Sequence, residues 1–261
     1  MGIINITPDS FSDGGKFFEA NKAIDHGKTL IENGADILDI GGESTRPGAS
    51  PVSLQEETDR VLPVIEGLRD ICAEKDVLLS VDTRHTEVMR EAIKSGATFI
   101  NDVNALKDKG AIDLIATKGI PVCLMHMQGS PETMQKNPKY DNIIDEVFAF
   151  LSSRIKDCVA GGIKKENIVA DIGIGFGKTL EHNIELLQNI AVFHQLGVPL
   201  LLGTSRKSFI SKLDKFVTAP EDRLGGSIAT VLDAASKGVQ IFRVHDVTET
   251  RQALLIAKAL R

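Results

Sequence analysis

The chain has 261 residues, 42% apolar and 25% charged, which is enough apolar material for a sizeable core and excludes wholesale disorder. Thirty Lys and Arg against 36 Asp and Glu leave a formal charge of −6, which argues against general nucleic-acid binding but leaves room for a local anion pocket. No run approaches the roughly 18 uncharged apolar residues of a membrane span, and the opening residues lack the basic start of a signal peptide. Cys72, Cys123 and Cys158 have no CxxC spacing, so neither a disulfide scaffold nor a zinc ribbon fits. A cytoplasmic protein with no nucleic-acid or membrane partner is expected.

Eight short β-branched runs recur, at residues 2–7, 35–41, 77–82, 98–103, 121–126, 168–173, 199–203 and 240–245. They are apolar nearly throughout, as strands covered on both faces should be, so parallel pairing follows. Each leads into a segment with helical spacing. Ser53 with Glu56 reads as a capping box ahead of the second helix. Helices are expected to stop at Asn33-Gly34, Ser95-Gly96, Lys118-Gly119, Gly161-Gly162 and Lys237-Gly238. Residues 142–158 carry the stripe Ile144, Val147, Phe148, Leu151 and Ile155, and residues 180–196 carry Leu180, Ile184, Leu187 and Ala191. Thr218 with Glu221 reads as a second capping box, with Pro220 at an early helical position. Eight strand-then-helix units predict an α/β fold, a (β/α)8 TIM barrel, formed as a single domain over residues 1–261. The rival open sheet would want G-x-G-x-x-G after an early strand, and Gly41-Gly42-Glu43-Ser44 does not supply it.

In a barrel the chemistry belongs where strands end and βα loops begin. Polar residues gather there: Asn5, Asp39, Asp82, Asn101 with Asp102, His126, Asp171, and Arg243 with His245. The loops after strands one and two, residues 7–15 and 41–51, are also glycine-rich. Buried carboxylates without a function should be rare, because each costs free energy unless paired. Asp82, Asn101 and Asp171 would converge on the mouth and suit a flat heterocycle with amide and amino edges, although any one alone reads equally well as a strand cap. Ser205-Arg206-Lys207-Ser208 follows strand seven and opens a short helix, an anion seat in the region where such barrels hold phosphate. A solvated surface lysine is the competing reading of Lys207. Arg243 and His245 share one face of strand eight and would hold phosphate oxygens, stack and donate, or form a buried structural pair. Asn5 offers a hard cation one carboxamide oxygen, a weak signal alone. Met125 lines the pocket, the cysteines read as small core residues, and His26, His85, His182 and His194 are spaced for no metal site.

The runs GIINITPDSFSDGG, DIGGESTRPGA, SVDTR, INDV, LMHMQG, DIGIGFGK, GTSRKS and RVHDV resemble, in order and spacing, the pterin-binding barrels of the dihydropteroate synthase family. The resemblance covers essentially the entire chain. It implies condensation of 6-hydroxymethyl-7,8-dihydropterin diphosphate with 4-aminobenzoate, giving 7,8-dihydropteroate and pyrophosphate in folate biosynthesis. It further implies that Asp82, Asn101, Asp171, Lys207 and Met125 meet the pterin, with Arg243 stacked on the ring. Asn5, Thr45, Arg243 and His245 would hold the diphosphate, with Mg²⁺ at Asn5. Thr45, Arg46, Pro47, Phe176, Lys207 and Ser208 would form the aminobenzoate end beneath two mobile loops, and Asp82, Lys207, Arg46 and Asp171 would carry the catalytic step. Members are usually homodimers that pack through late helices.

Two departures stand out. Where the family pattern has Asp-Pro-Gly, this chain has Asp171-Ile172-Gly173, which frees φ and adds an N–H at the turn that places Asp171. Relatives also commonly carry a short segment ahead of strand one that closes the barrel base. Two rivals share the pterin readers. A methyl-transferring pterin barrel would need neither the first loop nor the SRK segment, and a non-catalytic relative should show decay at Asn5, Arg243 and His245, all of which are intact.

Overall fold

All eight expected strands form, each trimmed at its ends. The computed structural model describes residues 1–6, 15–43, 52–130 and 133–260. Its strands are β1 (Gly2–Asn5), β2 (Ile37–Gly41), β3 (Leu78–Asp82), β4 (Phe99–Asp102), β5 (Val122–Met125), β6 (Ile168–Asp171), β7 (Leu200–Leu202) and β8 (Ile241–Phe242). They pair in sequence order, all parallel. The last joins the first through a parallel bridge between Gly2 and Val244, where the Ile3 N–H donates to Val244 O at 3.1 Å and the Val244 N–H donates to Met1 O at 2.9 Å. The result is a closed (β/α)8 barrel.

The helices are α1 (Gly15–Glu32), α2 (Leu54–Glu74), α3 (Thr86–Ser95), α4 (Ala111–Lys118), α5 (Ile143–Ala160), α6 (Leu180–Gln188), α7 (Ser208–Leu213), α8 (Leu224–Ser236) and α9 (Val247–Ala259). Strand alternation splits the core in two. Outward residues such as Leu38, Ile40, Leu79, Val81, Ile100, Val122 and Leu124 pack under the helices. Inward residues Met1, Ile37, Phe99, Cys123, Val169 and Leu201 plug the barrel at its base. Above that plug the inward positions turn polar. Strand tilt sets the register that lines them up: Asn5 pairs with Gly41, Gly41 with Asp82, and Asp82 with Asn101.

Local signals were partly redistributed. Ser53 caps α2 by accepting the Glu56 N–H, and Asn142 caps α5. The expected helix over 180–196 breaks after Gln188 into a 3₁₀ segment, Ile190–Leu196. Its buried face therefore becomes Leu186, Leu187, Ile190 and Phe193, and Ala191 is exposed. Thr218 makes no cap: Glu221–Arg223 is a 3₁₀ turn before α8, and the full capping box is Thr179 with His182 at α6. The helix opened by the SRK segment, α7, has six residues, with Lys207 at its N-cap position and no side-chain cap. The three cysteines are buried and unbonded.

Candidate active site

The inward side chains of β2, β3 and β4 and that of Arg243, just past β8, form one hydrogen-bonded lattice. Asp39 is fully buried; its Oδ1 accepts from Ser80 Oγ at 2.5 Å, and its Oδ2 accepts from Asn101 Nδ2 at 3.0 Å and Arg243 Nε at 2.6 Å. The guanidinium also donates through Nη2 to Asp82 Oδ2 at 2.9 Å. Burial works against the charge of Arg243, yet Asp39 and Asp82 raise its pKa above the ordinary value. Burial, opposed by Arg243 and reinforced by Asp39, pushes Asp82 up to about 7. Asp82 thus sits one layer above a saturated carboxylate, near the point where it exchanges its proton. Asn5 and Asp82 flank Gly41, where a Cβ would lie 3.8 Å from Asn5 Oδ1 and 3.9 Å from Asp82 Oδ2. The missing side chain leaves the mouth open between them.

On the other arc, Met125 pairs in register with Asp171. Asp171 Oδ1 accepts the Gly173 N–H at 2.7 Å, so the carboxylate itself holds the turn where Ile172 replaces proline. Burial raises Asp171, against the lowering effect of Lys207, Gly173 and Lys178. Burial likewise pulls Lys207 down to about 8, against Asp171. Lys207 Nζ donates to Ile174 O and stands 4.6 Å from the centre of the Phe176 ring. His245 shares a 3.0 Å contact through Nδ1 with Ser205 Oγ and donates its N–H to the same oxygen at 3.2 Å. Arg206 turns away and forks onto Asp246. Ser208 lies exposed at the start of α7.

Residues 1–245 match the pterin binding enzyme family. The dihydropteroate synthase of Haemophilus influenzae is 50% identical over 260 residues, covering 99% of this chain and 92% of that protein. Among solved structures, Yersinia pestis dihydropteroate synthase with a sulfonamide drug complex superposes with a TM-score of 0.92 at 48% identity, covering 100% of this chain and 93% of that one. The Xanthomonas albilineans dihydropteroate synthase with 4-aminobenzoic acid gives 0.91 at 48% identity, covering 100% and 92%. This chain belongs to the pterin-binding enzymes, among the dihydropteroate synthases. Neither rival reading is needed.

Not every strand-end group of this synthase serves the mouth. Asp102 faces outward and accepts the Asn104 and Leu106 N–H groups, both at 2.7 Å, so it holds the loop after β4. His126 is buried against Lys178. Thr45, Arg46 and Pro47 lie outside the described residues, as do most of loops 7–15 and 43–49. Sequence reasoning set no role for Asp39, the lattice's central acceptor, although its place two residues before Gly41 puts it on the inward face. It also gave His85 no metal-site neighbours. Among the described residues the fold brings His85 to Glu43 and Glu57, with ligand atoms within 4.8 Å of one another. Glu43 already accepts the Arg84 fork, both bonds at 3.0 Å. An imidazole beside a neutralised carboxylate is poorly matched to a hard cation, which takes oxygen ligands and keeps its waters. Asn5, exposed at the mouth with its carboxamide oxygen turned to the open space over Gly41, fits such a cation better. None of the described helices is long and apolar enough to cross a membrane.

Proposed function

We propose that this synthase seats 6-hydroxymethyl-7,8-dihydropterin diphosphate in the polar layer of the barrel and joins its methylene carbon to the amino group of 4-aminobenzoate. The observation that carries the reading is the arrangement of Asp82 and Asp171 on opposite arcs of the mouth, each raised by burial and each beside a cation. A pterin presents N–H and amino donors on one edge, which these acceptors and Asn101 match. Arg243, pinned at two points, offers its face to the ring.

Bond-making is between a weak aromatic amine and a carbon bearing a good leaving group. That asymmetry favours early C–O cleavage, with the electron pair leaving on diphosphate and the amine attacking the resulting cation. Asp82 and Asp171 stabilise positive charge delocalised over the ring, while Arg243 and His245 hold the departing oxygens. The amine's surplus proton is acidic once the C–N bond forms, so no strong base is required. Lys207 and Phe176 wall the aminobenzoate end, and Thr45, Arg46, Pro47 and Ser208 complete it in this reading. A Mg²⁺ ion at Asn5 would supply charge neutralisation for the diphosphate. The whole chain, 1–261, acts as one unit in the cytoplasm. Exposed Leu255 and Ile256 on α9, with Leu260 just past its end, support a homodimer through late helices.

The test is a coupled assay of the purified chain with both substrates and Mg²⁺, following pyrophosphate and dihydropteroate together. Matching, Mg²⁺-dependent appearance of both is expected. Pyrophosphate alone would sink the aminobenzoate end, and neither product would sink the reading.

A further inference from the structure

The loop from Gly173 to Gly177 has no helix or strand to support it, yet side chains hold its backbone group by group. Ile174 O accepts from Lys207, Gly175 O from Gln135 Nε2 at 2.7 Å, Phe176 O from Lys178 Nζ at 3.0 Å, and Gly177 O from Tyr140 Oη at 2.8 Å. The Gly173 and Gly175 N–H groups donate at 2.7 Å to Asp171 and Asn183. The mechanism uses Asp171 and Lys207. It leaves Lys178 without a task, although that side chain is only 1% exposed. Lysine is almost never buried so completely without a specific demand.

We propose that Lys178 is a positioning residue of the reaction: its ammonium joins the end of β5 to Phe176 O and so fixes where Phe176 and Lys207 meet 4-aminobenzoate. Three acceptors surround Nζ, namely His126 Nδ1 at 2.9 Å, Phe176 O at 3.0 Å and His126 O at 3.4 Å. An ammonium has three hydrogens and saturates all three, which a neutral amine cannot. His126 is suited to accept: burial, then Lys178, pushes it down to about 3, so its ring is neutral with the proton on Nε2. Burial, reinforced by Lys207 and only partly offset by Asp171, lowers Lys178 to about 7, so the three-bond ammonium is fully populated below that pH.

The seam it closes is tight. A Cβ at Gly173 would stand 1.9 Å from His126 O, and one at Gly177 would stand 2.5 Å from Gln128 O. The loop therefore lies directly on residues 126–128, and Lys178 pins it at the point where Phe176 turns towards Lys207. Removing the ammonium leaves the buried His126 O and the part-buried Phe176 O without this donor, which favours a shift of the loop towards water. The pterin seat meets this loop only through Asp171, held by the Gly173 N–H, and Lys207, which donates to Ile174 O; Lys178 bonds neither of those groups and pins Phe176 O to His126. The effect should therefore fall chiefly on 4-aminobenzoate.

The experiment is a two-substrate kinetic comparison of Lys178→Met with wild type, run well below the variant's melting temperature. The expected result is a KM for 4-aminobenzoate raised about tenfold, with the KM for dihydropterin diphosphate within about twofold of wild type. Parallel changes in both constants, or in neither, would overturn the proposal, since a purely structural lysine would not separate the substrates. If Lys178→Met does not fold, His126→Leu removes one of the three acceptors and should raise the aminobenzoate KM, while His126→Asn keeps an acceptor near Nδ1 and should restore it. Equal constants in those two variants would overturn it as well. The proposal rests on the reading of Phe176 as part of the aminobenzoate end. An unchanged aminobenzoate KM in Phe176→Ala sinks that reading, whereas an effect there without one at Lys178 sinks the proposal alone.

Discussion

Arg243 and Asp82 lie 161 residues apart in sequence and meet across the barrel mouth, Nη2 to Oδ2, at 2.9 Å. The same guanidinium reaches down to Asp39 at 2.6 Å, so one cation serves two carboxylates in successive layers. The lower one is consumed by protein donors. The upper one faces the open space above Gly41. Division of labour between a structural and a functional acid is thus set by depth in the barrel, and the two should respond differently to substitution.

Asp39→Ala should be mainly a stability defect. It strips Arg243 Nε, Asn101 Nδ2 and Ser80 Oγ of their shared acceptor in a fully buried site. Breaking a buried ion pair from one side costs about 3–5 kcal/mol. Urea denaturation would measure this, and a loss below about 1 kcal/mol would count against the lattice as a load on folding.

Glu57→Gln should stabilise the enzyme at alkaline pH and be neutral in acid. Glu57 is fully buried on α2, with His85 Nε2 4.0 Å away, and burial raises it to about 7. Burial and Arg84 hold His85 below its ordinary value, so it brings no charge at pH 8. A raised carboxylate contributes stability below its unfolded value and loses it as pH climbs through the folded one. Glutamine keeps the neutral shape throughout. The variant's advantage should be on the order of 3 kcal/mol at pH 8 and vanish near pH 4. Melting curves at both pH values decide it; an advantage that persists in acid would reject the titration account.

The strands and most helix ends were legible because each rests on a local pattern: apolar β-branched runs, and Gly after the last helical residue. The candidate residues were legible because a barrel places strand ends at one rim, so Asp82, Asn101 and Asp171 needed no knowledge of packing to be grouped. What resisted reading was non-local. Asp102 and Asp39 both look like strand-end acids, and only the position of each residue in the alternation separates a loop staple from a lattice centre. Lys178 is a lysine after a glycine-rich run, and nothing in that run tells a solvated side chain from one donating to His126 Nδ1 at 2.9 Å. Thr179 with His182 lacked the usual Glu or Gln, so the capping box at α6 was invisible to the motif.

Gly173→Ala should be severe despite its small volume change. The position has φ +68°, which disfavours any side chain, and the added methyl would meet a backbone carbonyl that cannot swing aside. Strain and displacement together should cost about 3 kcal/mol or more. Activity should fall further than stability, because the Gly173 N–H is what holds Asp171. A variant with wild-type pterin affinity would show that Asp171 is placed by something else.

The pH dependence of kcat/KM for the pterin substrate should be a narrow bell. Asp82 must be ionised to accept from the ring, and burial, opposed by Arg243, has raised it to about 7, so activity should climb with pH through that value. Lys207 must be protonated to act beside Asp171, and burial has lowered it to about 8, so activity should fall above that value. For the free enzyme these limbs report groups on the protein rather than the complex. Replacing Lys207 by arginine, which stays charged, should remove the alkaline limb even where it lowers the maximum. A profile flat from about pH 6 to pH 9 would detach both residues from pterin recognition, and an alkaline limb surviving in Lys207→Arg would assign it to another group.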